Sequence, residues 1–313
     1  MEYNYLGSTG LKLSEIGLGS MNFGRIGKEN AFALLDKARE LGINFIDSAN
    51  AYGPAEDILG EWMHTTDCRD EMIINTKVGW PMGKGPNQRG LSRRHITQQL
   101  DQTKQRLQTD WIDIYQPHYY DGVEDLNQLV MLFHEFVEQQ DITVIGAPLF
   151  IRPYQLVSWY YLAKEQGLHS IRSKLMTTSL LSRGMYDGNT RQIAKDYDLG
   201  LITFGALGGG LLTGKYHSSR PYPETGKEMF RETVEQGKID GLIDRLEELS
   251  TEEDTSMAKL CFAWVLSHDF MDTVVIGASN TDQLEDIITA KELKLDKSTL
   301  DQMTELSDQY KLW

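Results

Sequence analysis

The sequence is short of cysteine, of basic residues and of long apolar runs. Only two cysteines, Cys68 and Cys261, occur in 313 residues, so we expect neither a disulfide framework nor a cysteine-based metal site, and a reducing compartment fits this usage. Lys and Arg number 31 against 46 Asp and Glu, which gives a net charge of −15. Because an acidic surface repels phosphate backbones and anionic lipid headgroups, we expect no nucleic-acid partner and no membrane partner.

Targeting and membrane-spanning patterns are missing as well. The first residues lack the basic segment and apolar core of a secretory signal peptide, and the most apolar later stretch, residues 199–213, is too short and too rich in glycine to cross a bilayer. Hydrophobic residues make up 40% and charged residues 25% of the chain, which is typical of globular proteins. We therefore expect a cytoplasmic enzyme.

Short apolar or β-branched runs alternate with longer amphipathic stretches along the chain, and no linker rich in Pro, Ser or Gly divides it. This alternation is typical of βα units around a parallel sheet. It predicts an α/β fold, a (β/α)8 TIM barrel forming a single domain over residues 1–313, with an N-terminal β-hairpin over residues 3–6 and 10–13 and an extra C-terminal helix over residues 297–309. The eight predicted strands are residues 16–19, 44–46, 72–75, 111–115, 142–145, 172–175, 201–204 and 273–276.

A Rossmann dinucleotide-binding fold is the competing interpretation. Gly17, Gly19 and Asn22 nearly match the pattern G-x-G-x-x-G, and Asp47 closes the next strand, where a ribose-binding acid would lie. However, the third glycine of the pattern is Asn22, and the helical pattern begins only near residue 30, so helix amides do not follow the glycines directly. The barrel is therefore favoured, with helices predicted over residues 30–41, 92–107, 125–139 and 153–166 and Ser92 as an N-cap.

Four reactive side chains follow consecutive predicted strands. Asp47 and Tyr52 come after the second strand, Lys77 after the third and His118 after the fourth. In a parallel barrel these strand ends share one rim, so the four side chains are expected to meet there. A lysine ammonium held by a carboxylate favours the phenolate form of a nearby tyrosine, and a neutral imidazole polarises a carbonyl oxygen. The set predicts chemistry that protonates an oxyanion forming at a carbonyl carbon.

Phosphate binding is expected after the seventh and eighth strands. The seventh runs into a glycine-rich loop over residues 205–215, whose glycines let backbone amides approach an anion closely. The eighth runs into Gly277 and Ser279, just ahead of a helical stretch that begins at residue 282. Helix amides and the Ser279 hydroxyl are therefore expected to face a phosphate.

The chain resembles the aldo-keto reductase superfamily over nearly its whole length. The resemblance is to the branch that includes bacterial general-stress reductases and potassium-channel β subunits. The stretches that carry the resemblance are residues 5–14, 17–19, 42–48, 76–79, 90–93, 107–110 and 207–216. The resemblance implies a (β/α)8 barrel that reduces an aldehyde or ketone by hydride transfer from NADPH. It implies the catalytic tetrad Asp47, Tyr52, Lys77 and His118, with Tyr52 as the proton donor.

The resemblance also implies a set of cofactor-binding positions. They are Ser20, Met21, Asp47, Phe204, Gly205, Ala206, Leu207, Gly208, Gly209, Lys215, Gly277, Ser279, Gln283 and Asp286. NADPH is the implied cofactor, and a small-molecule carbonyl compound is the implied substrate. The sequence gives no oligomeric state and no substrate identity.

Five positions depart from the family pattern around the nicotinamide and adenine. Where relatives usually hold the carboxamide with a Ser-Asn pair and a Gln, this sequence has Pro148, Leu149 and Leu175; Thr178 replaces a stacking Tyr, and Ile287 an Asn. Leaving buried carboxamide atoms without partners costs about 1 to 3 kcal/mol each, which weakens nicotinamide placement. Use of NADH, and weak or no cofactor binding, therefore remain open beside NADPH.

Two other functions remain open on the same barrel. One is a non-redox lyase or isomerase that uses Tyr52 and Lys77 for proton transfer, and the other is a binding or regulatory protein. Tyr119 follows His118 at the expected rim and is a candidate for the missing ring stack. His134 and Glu135 imitate the start of a zinc-protease helix, but Glu138 stands where the motif needs a histidine. We therefore predict a solvated helix face and no metal site there.

Overall fold

Eight parallel strands form a closed barrel in the computed structural model, which describes residues 1–183, 188–222 and 227–312. The barrel closes where the last strand pairs with the first. Its strands are β3 (Ile16–Gly19), β4 (Phe45–Asp47), β5 (Ile73–Val78), β6 (Ile112–Pro117), β7 (Ile142–Ala147), β8 (Ile171–Thr177), β9 (Gly200–Phe204) and β10 (Thr273–Ile276). The predicted (β/α)8 barrel is confirmed, and the Rossmann interpretation is wrong, because a closed barrel has no open sheet edge.

An antiparallel hairpin of β1 (Tyr3–Tyr5) and β2 (Lys12–Ser14) precedes the barrel, as the sequence predicts. Each predicted barrel strand overlaps an observed one; the sixth, predicted over residues 172–175, extends to Ile171–Thr177 as β8. The helices are α1 (Phe23–Ile26), α2 (Lys28–Glu40), α3 (Ala55–Thr66), α4 (Arg93–Leu107), α5 (Leu126–Glu138), α6 (Pro153–Gln166), α7 (Asn189–Asp196), α8 (Glu228–Glu235), α9 (Asp240–Glu252), α10 (Met257–Leu266), α11 (Thr281–Ile288) and α12 (Lys297–Tyr310). Among the described residues, no helix has both the length and the apolarity needed to cross a membrane.

Helix boundaries follow local side-chain chemistry. The Ser92 hydroxyl accepts a hydrogen bond from the His95 backbone N–H at 3.3 Å, so α4 begins where the sequence predicts. The Asp296 carboxylate accepts one from the Thr299 N–H at 2.8 Å and starts α12, the predicted C-terminal helix.

The chain divides into two compact units by its internal contacts. The first comprises residues 1–176, 189–202 and 271–284 and contains nearly all of the barrel strands. The second comprises residues 177–188, 203–270 and 285–313. In the second unit α10 supplies the core, where Phe262 and Trp264 are buried and the Trp264 indole N–H donates to the Thr304 hydroxyl at 3.3 Å. The prediction of one domain over residues 1–313 stays a prediction.

Strand alternation decides which side chains line the barrel. The Thr76 hydroxyl donates to the buried Glu56 carboxylate on α3 at 2.6 Å, and the Tyr115 ring lies 5.9 Å from the Phe133 ring on α5, so both face the helices. Because successive side chains of a strand point to opposite faces, the next residues, Lys77 and Gln116, point into the barrel. They are neighbours across β5 and β6.

Helices α3 and α4 pack closely at Gly60. A Cβ atom on this glycine would overlap the Arg106 carbonyl oxygen and lie 2.7 Å from the Leu107 Cα. These are backbone atoms, so they cannot turn aside as a flexible side chain does. Gly60 is therefore required by close packing and not by backbone conformation.

We expect Gly60→Ala to lower the free energy of unfolding by about 2 kcal/mol, because overpacking costs about 1–3 kcal/mol or more. Without the contact, the same change would stabilise the helix by about 1 kcal/mol, so the sign of the effect is decisive. Chemical denaturation measures it, with His64→Ala at an exposed position of the same helix as the control. A more stable Gly60→Ala protein would contradict this packing.

Candidate active site

A buried ion pair joins the ends of two neighbouring strands. The Lys77 ammonium at the end of β5 donates to Asp47 Oδ1 of β4 at 2.7 Å and to the Ser48 carbonyl oxygen at 2.6 Å. The Asn75 amide donates to the same Asp47 oxygen at 2.6 Å. Lys77 is 1% exposed and Asp47 6% exposed. Buried charges need such partners, so these hydrogen bonds hold the ammonium at a fixed place.

Burial and pairing act in opposite directions on Lys77. Removal from water disfavours the ammonium and lowers the pKa of Lys77, while the Asp47 carboxylate favours it; burial is the larger effect.

Tyr52 lies in the turn between β4 and α3. Its backbone N–H donates to the Ala49 carbonyl at 3.0 Å, and Gly53, which follows, adopts a φ of 61° that a residue without Cβ accepts readily. The Lys77 Nζ lies 5.3 Å from the Tyr52 ring centroid. The loop thus places the phenol above the ion pair.

Burial, with a smaller effect of the Asp47 carboxylate, raises the pKa of Tyr52 well above its ordinary value. Removal of the phenol from water is the larger of these two effects. That the nearby ammonium favours the phenolate stays a prediction. Tyr52 holds its proton as a neutral phenol.

His118 follows β6 and is held by a backbone hydrogen bond of 2.7 Å from its N–H to the Val78 carbonyl oxygen of β5. Its ring meets Tyr52 edge-on at a centroid distance of 5.9 Å. Burial, and secondarily the charge of Lys77, lower the pKa of His118 to about 3. The imidazole is therefore neutral at physiological pH. The structure thus brings all four members of the predicted catalytic set together at one rim.

Aromatic side chains border this group. The Trp80 ring lies 5.8 Å from the His118 ring and is 43% exposed. Tyr119 lies 5.2 Å from Trp80, and its hydroxyl donates to the Gly79 carbonyl at 2.9 Å. A ring anchored in this way lines the mouth beside His118, and its predicted use as a cofactor stack stays a prediction.

Comparison with known proteins agrees with the barrel. The sequence matches the model of the aldo/keto reductase family over residues 15–308. The chain belongs to this family. Among its relatives are the "Uncharacterized oxidoreductase YrpG" of Bacillus subtilis, 32% identical over 98% of this chain and 96% of the relative, and the L-glyceraldehyde 3-phosphate reductase of Escherichia coli K12, 30% identical over 93% and 87%.

A third relative, the "Probable voltage-gated potassium channel subunit beta" of Oryza sativa subsp. japonica, is 28% identical over 91% of this chain and 89% of its own length. The family and its reductase relatives make this aldo/keto reductase an oxidoreductase of the general class that uses NAD(P)H to reduce a carbonyl compound. Its substrate is accordingly a small molecule.

Predicted cofactor positions in the first unit occupy two loops. The buried Ser20 hydroxyl donates to the Ser48 hydroxyl at 2.9 Å, whereas Met21 is 61% exposed. At the start of α11, the Ser279 backbone N–H donates to Gln283 Oε1 at 2.9 Å. The Arg25 guanidinium donates to the Ser279 hydroxyl at 2.9 Å. Sequence reasoning missed Arg25, because it is distant in sequence and no local pattern marks it.

Predicted cofactor positions in the second unit include the glycine-rich loop. Gly205, Gly208 and Gly209 have φ values of 77°, 57° and 68°, which favour glycine. Lys215 is exposed. Asp286 on α11 forms an ion pair of 2.5 Å with Lys259 of α10. Of the remaining predicted positions, Phe204 ends β9, Ala206 and Leu207 lie in the glycine-rich loop, and Gly277 follows β10 in the first unit. All of these roles stay predictions.

The positions that depart from the family pattern are buried. Leu149 and Leu175 offer no polar side-chain atom, and the carbonyl oxygens of Pro148 and Leu149 each accept a hydrogen bond of 2.7 Å from Lys174. Burial lowers the pKa of Lys174 to about 7. The carbonyls of this loop are therefore already engaged by Lys174. Thr178 and Ile287 are also buried.

Two buried polar side chains of the barrel wall escaped the sequence analysis. Both amide atoms of Gln116 and the Ser173 hydroxyl lack a hydrogen-bond partner among the described residues. Gln116 lies two residues before His118 on β6, so the period of two could have placed both side chains on the inner face. The pairing of Ser173 depends on a register shift between β7 and β8, which no local pattern encodes.

His134 and Glu138 of α5 lie near His169, and one ligand atom of each falls within 4.8 Å of the others. The His169 backbone N–H donates to His134 Nδ1 at 3.2 Å, and His169 Nε2 lies 2.9 Å from Glu138 Oε1. These contacts are a hydrogen-bond network on a partly exposed helix face. The absence of a metal from this chain stays a prediction.

The low pKa of His118 predicts that its ring stays neutral across the range in which free histidine titrates, about pH 6.5. We expect its NMR resonances to be constant from pH 9 to pH 5, with protonation only near pH 3. His118→Asn identifies the signal. Between about pH 6.5 and 3 the unfolded chain binds the proton and the folded chain does not, so the wild type should lose stability relative to this variant as pH falls. A midpoint near 6.5 would contradict the burial argument.

Proposed function

We propose that this protein is an NADPH-dependent reductase of small aldehydes or ketones, with Tyr52 as the proton donor. The observation that carries the proposal is the grouping of a neutral phenol and a neutral imidazole over the buried Lys77–Asp47 pair. The Arg25 guanidinium and the Ser279 hydroxyl at the start of α11 fit a phosphate group of the cofactor. The reduced nicotinamide supplies the hydride to the carbonyl carbon.

The protein side chains polarise and protonate the carbonyl oxygen of the substrate. His118, neutral at working pH, donates a hydrogen bond that polarises the carbonyl group. Tyr52 gives its proton to the oxygen as negative charge develops, because an alkoxide is a far stronger base than a phenolate. The ammonium of Lys77 stabilises the phenolate left behind, and Asp47 keeps that ammonium charged and oriented. Trp80 borders the mouth and excludes water from it.

NADPH is proposed over NADH on the charge at the start of α11. Arg25 and Ser279 supply a guanidinium and a hydroxyl beside a helix N-terminus, which favours a phosphate group. Asn280 caps the helix by accepting a 2.9 Å hydrogen bond from the Gln283 N–H. Arg25 is thus our candidate for the cation that contacts the 2′-phosphate.

Tyr52→Phe tests the proton donor. Loss of a general acid costs about 10²- to 10⁴-fold in rate, so kcat for aldehyde reduction should fall by that amount while the dissociation constant for NADPH stays unchanged. Stopped-flow absorbance of NADPH gives the rate, and Trp fluorescence quenching gives the affinity. Tyr154→Phe, at a tyrosine 61% exposed on α6, is the matched control.

Full reductase activity in the Tyr52→Phe protein would overturn the assigned role. The two other functions named from the sequence make different predictions. A lyase or isomerase would turn over substrate after all nicotinamide is removed. A binding or regulatory protein would show no turnover even in the wild type.

Arg25→Ala tests the cofactor preference. A charge-assisted hydrogen bond contributes about 1.5–3 kcal/mol, so affinity for NADPH should fall about tenfold or more while affinity for NADH is unchanged. Lys28→Ala, which removes an exposed cation paired with Glu61, is the control for net charge. An equal loss for both cofactors would show that Arg25 does not contact the 2′-phosphate.

A further inference from the structure

Two imidazoles and a carboxylate meet on the helical layer of the barrel, away from the candidate active site. His134 and Glu138 lie one helical turn apart on α5, so their side chains project from the same face of the helix. His169 lies in the short segment between α6 and β8. A ligand atom of each side chain is within 4.8 Å of those of the other two. Two elements that are distant in sequence thus bring metal-binding side chains to one place.

The end of α6 positions His169 next to α5. Gly167 ends the helix in the left-handed region, with a φ of 67°, and the Leu168 N–H donates to the Ala163 carbonyl oxygen at 2.9 Å. This is a helix end that glycine favours, and it sets the direction in which the chain leaves α6. The His169 backbone N–H then donates to His134 Nδ1 at 3.2 Å. The fold itself therefore holds the three side chains near one another.

The hydrogen bonds of this cluster resemble the contacts that a metal ion would replace. His134 accepts at Nδ1, so this nitrogen carries a lone pair in the neutral ring. His169 Nε2 lies 2.9 Å from Glu138 Oε1, and a carboxylate only accepts, so the ring proton lies between the two atoms. Ligand atoms at about 2.0–2.2 Å from a tetrahedral ion lie about 3.4 Å from each other. An ion that takes the place of this proton therefore needs only a small opening of the pair, and its binding releases the proton to solvent.

Two nitrogen ligands and one oxygen ligand favour zinc among the common divalent ions. Imidazole suits zinc and other late first-row metals, whereas Mg²⁺ and Ca²⁺ prefer sites made of oxygen atoms. Two histidines and one glutamate are a known type of zinc ligand set, in which water takes the fourth position. The side chains of His169 and Glu138 are 51% and 61% exposed, so an ion reaches them from solvent. The net charge of −15 also favours a cation over an anion.

We propose that His134, Glu138 and His169 bind one Zn²⁺ ion, with water at the fourth position. The expectation that no metal binds here rests on α5 alone, where Glu138 stands in place of a second histidine. The structure supplies that histidine from the segment after α6, 35 residues beyond His134. No sequence motif for zinc covers this spacing, because the approach of His169 to α5 depends on the packing of two βα units.

The location of the three ligands indicates that the ion stabilises the fold and takes no part in the reaction. Glu138 ends α5 just ahead of β7, and His169 precedes β8 by two residues. Both therefore lie at the end of the barrel where the strands begin, opposite the rim that holds Tyr52 and His118. A bound ion links α5 to the segment before β8, and a ligand that binds only the folded chain stabilises it.

The test is calorimetric titration of the intact, chelator-treated protein with ZnCl₂. We expect the wild type to bind one equivalent. His169→Ala should raise the dissociation constant about tenfold or more, because changes to groups that merely surround a metal already cost about 10- to 100-fold. Glu138→Gln keeps a hydrogen-bonding side chain of the same size but removes the carboxylate ligand, so it should weaken binding as well. His64→Ala, at an exposed histidine of α3, is the matched control and should bind Zn²⁺ as the wild type does.

Thermal unfolding measures the effect of the ion on the fold. One equivalent of Zn²⁺ should raise the Tm of the wild type and of His64→Ala but not that of His169→Ala, and Mg²⁺ should raise none of them. Reductase activity should be the same with and without this equivalent, because the ion binds at the opposite end of the barrel. No saturable binding of Zn²⁺ to the wild type, or equal affinities of the wild type and His169→Ala, would refute the inference. The proposed function would stand in either case, because Tyr52→Phe tests it separately.

Discussion

The site depends on one buried ion pair, between Lys77 and Asp47. Taking two charges out of water is expensive, and the hydrogen bonds from Asn75 and to the Ser48 carbonyl offset that cost only in one geometry. The pair therefore fixes the ends of β4 and β5 relative to each other and places the ammonium under Tyr52. Removing either charge would leave the other buried and uncompensated. The pair is therefore needed both for the local structure of the barrel and for the position of the Lys77 ammonium.

The same burial sets the protonation states around the pair. It keeps Tyr52 a phenol and His118 an imidazole, because each ring is largely removed from water and the charged form of each is disfavoured. A site of this kind carries charge only on Lys77 and Asp47 before reaction. Neutral donors held in this way suit the proposed chemistry, in which negative charge develops on a substrate oxygen.

Membership of the aldo/keto reductase family determines the fold of this chain more closely than it determines its function. The relatives of this chain include proteins named as oxidoreductases and proteins named as potassium-channel subunits, so function must be argued from the site. Here Asp47, Tyr52, Lys77 and His118 meet at one rim, whereas the buried Leu149 and Leu175 offer no polar side-chain atom. The Lys174 ammonium donates hydrogen bonds to the carbonyl oxygens of Pro148 and Leu149 and fixes that loop.

The sequence by itself determined the barrel, its eight strands, the leading hairpin and the meeting of Asp47, Tyr52, Lys77 and His118, because hydrophobic periodicity is local and parallel strands bring their ends to one rim. Only the tertiary structure decided the direction of the Tyr52 pKa, the contact of Arg25 with Ser279 and the unpaired state of Gln116. Each of these depends on how much water is excluded or on which distant residues become neighbours. Burial and long-range contact are properties of the packed chain, and no local spacing of residues records them.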